Sequence, residues 1–129
     1  MLFRSQSGWQ VTVEFHVRSE TYTGFIDLKA SRDGQVLAVE AELTPRRVKN
    51  DIAKAIAMNA SELWIVVPEY HAAQAVRAVV ARHAAAKKLP VRVLTQGQAI
   101  QKVRDCFPLI SVLNGQEEKQ KTEPKRRLS

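Results

Sequence analysis

The feature that most constrains this chain is a change of period at Thr44-Pro45. Before it, apolar residues recur at every second position; after it, they recur at helical spacing. A two-residue period alternates side chains between the faces of a strand, whereas recurrence at three and four residues lines one face of a helix. Within residues 9–18, Val11, Val13, Phe15 and Val17 alternate with Thr12, Glu14, His16 and Arg18, which predicts a half-buried strand with the four apolar residues on one face. Residues 23–30 and 35–43 predict two more strands. The intervening Ser31-Arg32-Asp33-Gly34 carries the Asp-Gly signal of a tight hairpin. The first third of the chain is therefore expected to be an antiparallel meander.

Thr44 is a suitable N-cap, and Pro45 fits the first helical position, where its missing N–H costs no hydrogen bond. Val48, Ile52, Ala55 and Ile56 follow at helical spacing and predict a helix to about Asn59. Residues 63–67 form a continuous apolar run closed by Pro68, as expected for a strand covered on both faces. An Ala-rich stretch over 69–88, with Val76, Val79 and Val80 on one face, predicts a second helix that stops at Pro90. Residues 91–94 return as a strand, and 96–105 close the chain as a short helix. The order β-β-β-α-β-α-β(-α) defines an α/β fold, a mixed β-sheet flanked by helices, forming one domain over 1–114. Residues 115–129 lack apolar periodicity and are expected to be a disordered basic tail.

A chain of 129 residues can bury one core without a covalent staple. Its single cysteine, Cys106, excludes an intrachain disulfide framework and reads as a small buried hydrophobe. No apolar run has the length of a membrane span, and residues 1–8 lack the apolar core of a signal peptide. A cytoplasmic protein without a membrane partner is expected. Five glycines include no phosphate-cradling loop, so no nucleotide cofactor is expected, and His16, His71 and His83 lack ligand spacing for zinc. The formal charge is +7, of which residues 116–129 contribute +2 through five Lys/Arg and three Glu. An excess of this kind favours a polyanionic partner, because neutralising phosphates releases condensed counterions.

Three carboxylates stand out. Asp27 interrupts the apolar run Phe25-Ile26-Asp27-Leu28, and Glu40 and Glu42 interrupt the apolar run Val36 to Leu43. Carboxylates inside strands are costly unless something pairs with them. Glu40 and Glu42, two apart, point to the same side of a sheet. Acids on adjacent hairpin strands repel one another, and a hard divalent cation held by few carboxylates resolves this. The competing expectation is that alternating charges form a solvated face, which applies most to Glu42 near a strand end.

Gly24-Phe25-Ile26-Asp27-Leu28, the Asp-Gly turn and Val39-Glu40-Ala41-Glu42 together resemble motifs II and III of the PD-(D/E)xK nuclease superfamily, with Glu42 where its lysine usually stands. The nearest resemblance is to small Holliday-junction-resolvase-like, restriction-endonuclease-like proteins, and it covers about residues 8–104. It implies a Mg²⁺- or Mn²⁺-dependent DNA endonuclease, with Asp27, Glu40 and Glu42 as metal ligands. It also implies a homodimer, as small enzymes of that type often form. The missing lysine is expected from the following helix: Lys54 first, Lys49 second. Lys54 is expected away from the Val48/Ile52/Ile56 stripe. Arg46, Arg47, Lys49, Arg18 and Lys29 are the expected DNA contacts, with an Arg47–Asp51 pair as the plain alternative for Arg47. The family's N-terminal helix is missing or reduced to residues 1–7, and Glu14 is the candidate to replace its acid. The alternative function is a catalytically inactive domain of the same fold that binds nucleic acid or a partner protein.

Overall fold

The computed structural model describes residues 2–4, 8–20 and 22–106, with the backbone alone at 2–4, 84–87 and 106. Six strands lie side by side in chain order: β1 (Leu2–Arg4), β2 (Gln10–Arg18), β3 (Thr23–Arg32), β4 (Gln35–Ala41), β5 (Glu62–Val67) and β6 (Val91–Thr95). Three helices follow the meander: α1 (Val48–Ala57), α2 (Tyr70–Lys87) and α3 (Gln96–Cys106). Neighbouring strands from β1 to β4 are antiparallel, and β4–β5 and β5–β6 are parallel. Parallel neighbours need a crossover, and α1 and α2 supply the two crossovers here. The α/β class and the element order match the sequence expectation. One strand was not anticipated: residues 2–4 pair with β2, Leu2 opposite Thr12, and so form no helical remnant. Three residues are too few to display a period. The side chain of Cys106 and residues 115–129 lie outside the described residues.

Local chemistry sets the boundaries. Arg32 pairs with Gln35, and the two residues between them, Asp33 and Gly34, have φ of 52° and 82°. Two left-handed residues make the hairpin turn whose twist matches the flanking strands. The Thr44 hydroxyl accepts the Arg46 amide at 3.3 Å, and Pro45–Arg47 is a 3₁₀ turn leading into α1. Glu69 caps α2 by accepting the Ala72 amide at 2.5 Å. No described helix is long and apolar enough to cross a membrane.

Two apolar layers sandwich the sheet. Ala38, Leu63, Ile65, Val67 and Val93 pack with Val48, Ile52 and Ala55 of α1 and Ala73 and Val76 of α2. On the opposite face Leu37, Trp64, Val39 and Leu94 pack with Val103 of α3. The β2–β3 ribbon contributes to both layers. Ile26 joins the first and Leu28 and Ala30 the second, although a two-residue period would put all three on one face. β2 behaves alike: Phe15 and Val17 face α1 and α2, while Trp9 and Val11 face the other way. The expected single face of Val11, Val13, Phe15 and Val17 is thus broken, and Val13 is 36% exposed. The physical reason lies at Glu14, whose φ is 54° within the strand. Ladder pairs Val13–Leu28 and Phe15–Ile26 flank it, and no pair joins Glu14 to Asp27 between them. Left-handed Glu14 and Asp27 opposite it mark the step at which both strands change faces.

Candidate functional site

The β3–β4 ladder ends at Leu28–Val39, one step before Asp27 and Glu40. Beyond it the strands diverge, so backbone amides need new acceptors. The two acids provide them. The Asp27 amide donates to Glu40 Oε1 at 2.9 Å, and the Ala41 amide donates to Asp27 Oδ2 at 2.8 Å. Two cross-strand carboxylates thereby close the fork. Asp27 is exposed, whereas Glu40 is buried at 2% exposure.

Helix α1 meets this fork with polar residues on its inward face. Val48, Asp51, Ile52, Lys54 and Ala55 are all buried, while Ile56 is 39% exposed. The inward stripe is therefore rotated from the expected Val48/Ile52/Ile56 line. Lys54, expected outside that line, points inward instead. Its ammonium forms an ion pair with the Glu40 carboxylate, donates to the Phe25 carbonyl at 2.8 Å and stands 3.8 Å from Asp51 Oδ1. Burial alone would lower the Lys54 pKa, but the adjacent Glu40 carboxylate outweighs it and holds the group above its ordinary value. Lys54 is therefore an ammonium at neutral pH, suited to stabilising negative charge and unsuited to accepting a proton.

Glu40, Glu42 and Asp51 each bring a carboxylate oxygen within 4.8 Å of the others. Asp51 is fully buried. Neither of its oxygens has a hydrogen-bond partner, whereas Glu40 Oε2 is held by the Lys54 ammonium. Burial, then the neighbouring carboxylates of Glu42 and Glu40, push the Asp51 carboxyl up to about 10. Hard oxygen donors with unmet valence fit a Mg²⁺- or Mn²⁺-class cation. Asp27 stands outside this group of three, its carboxylate engaged with the Ala41 amide.

The sequence pointed to Asp27, Glu40, Glu42 and Lys54, and the fold gathers the last three around α1 with Asp27 bonded to Glu40. It missed Asp51. The available signal was its place at i+3 from Val48 and i−4 from Ala55, on the buried stripe. The Arg47–Asp51 pair, the plain alternative for Arg47, is not among the ion pairs of the described residues, and Asp51 is fully buried. Glu14 lies across the ribbon from Asp27 by register but is exposed.

Among the expected basic contacts, Arg46, Arg47 and Lys49 are exposed on the 3₁₀ turn and the first turn of α1. Among the described residues no ion pair takes up any of them. Arg18 donates to His16 Nδ1 at 3.0 Å, and the Lys29 ammonium lies 4.2 Å from the centre of the Phe15 ring. A cavity of about 300 Å³ exists elsewhere, on the α3 face between Trp9, Trp64, Glu62, Arg92 and Lys102, and no candidate residue lines it.

No family model matches the chain, and comparison with characterised proteins and with solved structures returned no match.

Proposed function

We propose that this protein is a metal-dependent nuclease of the PD-(D/E)xK type that hydrolyses phosphodiester bonds in DNA. The observation that carries the reading is Lys54. A buried ammonium delivered by the helix after the hairpin reaches the Glu40 carboxylate, which in turn holds the Asp27 amide. The chain thereby has an acid pair and a lysine in contact, although Glu42 occupies the lysine's usual place in the strand motif.

A bound Mg²⁺ or Mn²⁺ would polarise the scissile phosphate and acidify a coordinated water. Asp27, Glu40 and Glu42 are the residues proposed to hold it. Lys54, charged at neutral pH, would offset the negative charge that grows on the phosphate oxygens. Arg46, Arg47 and Lys49 supply unpaired positive charge beside the fork, where a nucleic-acid backbone would lie. They sit in the first turns of a helix, where the dipole disfavours cations, and an anionic partner relieves that cost.

The test is cleavage of plasmid and branched DNA with Mg²⁺ or Mn²⁺ by the wild type and by Asp27→Ala, Glu40→Ala and Lys54→Ala. Loss of cleavage in all three, with the fold retained, is the expected result. Unchanged cleavage in the Asp27 and Glu40 variants would sink the site. Salt-sensitive DNA binding without cleavage by the wild type would instead favour a non-catalytic nucleic-acid-binding domain of the same fold.

A further inference from the structure

We propose that Asp51 of α1 is itself a ligand of the divalent cation, closing a three-carboxylate site with Glu40 and Glu42. The proposal deepens the hydrolytic reading above, on which the cation's use in catalysis rests; the binding of the cation stands on its own observations.

The first is proximity. An octahedral Mg²⁺ or Mn²⁺ with metal–oxygen distances of about 2.1 Å spans about 4.2 Å between opposite ligands. Oxygens of Glu40, Glu42 and Asp51 already lie within 4.8 Å of one another. Adjacent ligands of the same shell lie about 3.0 Å apart, so the three carboxylates would draw together around the ion.

The second is independent of the acids being close. The Asp51 side chain has 0% exposure, and neither carboxylate oxygen accepts a hydrogen bond. A buried carboxylate without a donor is rare, because its desolvation is uncompensated. Lys54 does not supply the missing partner: it stands 3.8 Å from Oδ1, beyond hydrogen-bond reach, and is committed to Glu40 and the Phe25 carbonyl.

The third is architectural. Among the described residues before β2, Leu2–Arg4 form a strand. Helix α1 already delivers Lys54 to the fork, and Asp51 lies one turn earlier on the same inward stripe.

The experiment is titration of the full chain with Mn²⁺, followed calorimetrically and by the loss of the free Mn²⁺ electron-spin resonance signal. Wild type, Asp51→Asn and Glu42→Gln are compared, with circular dichroism confirming the fold of each. Asp51→Asn is expected to weaken Mn²⁺ binding by about tenfold or more, and Glu42→Gln likewise. Glu42 is only half-buried and lies past the end of β4, so its variant reports on the site even if Asp51→Asn fails to fold. Wild-type affinity in a folded Asp51→Asn protein overturns the proposal, as does wild-type affinity in Glu42→Gln. So does a wild type that takes up no Mn²⁺ at millimolar concentration. DNA cleavage measured on the same samples separates the two readings. Asp51-dependent Mn²⁺ binding without cleavage supports the site and removes the nuclease. Cleavage with Asp51-independent binding keeps the nuclease and overturns the site.

Discussion

Glu40 on β4 accepts the backbone amide of Asp27 on β3 at 2.9 Å, so one acid of the pair fixes the backbone on which the other is mounted. The relation is reciprocal across the fork, since Asp27 accepts the amide of Ala41, the residue after Glu40. Each carboxylate replaces a ladder bond at the step where the strands part. The separation that opens the site is thus held by the residues that form it.

The buried cation at this fork should be costly to remove. Lys54→Met takes away the ammonium paired with Glu40, leaving a carboxylate at 2% exposure without a counter-charge. A loss of roughly 3–5 kcal/mol in unfolding free energy is expected, measured by urea denaturation. Combining it with Glu40→Gln should cost less than the two single changes added together, because the second removes the charge stranded by the first.

Asp51 predicts a pH dependence of metal-free stability. Its carboxyl is raised from 3.8 to about 10 by burial and by the acids beside it. Between those values the folded protein holds a proton that the unfolded chain has released. Stability contributed by this group is therefore full at low pH and falls as pH rises toward 10, by up to about 1.4 kcal/mol per unit. Asp51→Asn should flatten that slope in chelator-treated protein and be the more stable of the two at pH 9. Parallel pH profiles for the two proteins would refute the assignment.

Glu14 tests the reversal of the ribbon. At φ 54° a side chain is strained and glycine is not. Glu14→Gly should leave stability unchanged or raise it by up to about 1 kcal/mol. Glu14→Val, β-branched, should lower it by about 1–2 kcal/mol, seen as a fall in melting temperature.

If the exposed cations beside the fork contact phosphates, each should leave a mark on the salt dependence of DNA binding. Arg46→Ala, Arg47→Ala and Lys49→Ala should each reduce the slope of log K against log salt by about 1, measured by fluorescence anisotropy. Arg18, already bonded to the His16 ring at 3.0 Å, and Lys29, stacked over Phe15, should change it less.

Much of the architecture is legible in local chemistry. The apolar run from Val36, the Asp33-Gly34 turn, Thr44-Pro45 and the apolar run before Pro68 each specify an element from its own residues. The same local signals misplace what depends on partners. β1 is too short to show a period, and the reversal at Glu14 leaves no trace in an alternating sequence, because the hydrophobic pattern continues while the face it occupies changes.

The candidate site divides along the same line. Asp27, Glu40 and Glu42 stand out in the sequence because charge inside a strand pattern is conspicuous. Asp51 and Lys54 do not, since acids and lysines are ordinary on a helix whose rotation is unknown. Only packing α1 over the fork turns both of them inward, burying Asp51 completely and bringing the Lys54 ammonium to Glu40. Local sequence therefore determined the strands, the turn and the acids of the hairpin, through periodicity and backbone preference. The tertiary structure decided which helix charges meet those acids, because burial and ion pairing belong to surfaces that exist only once the elements have packed.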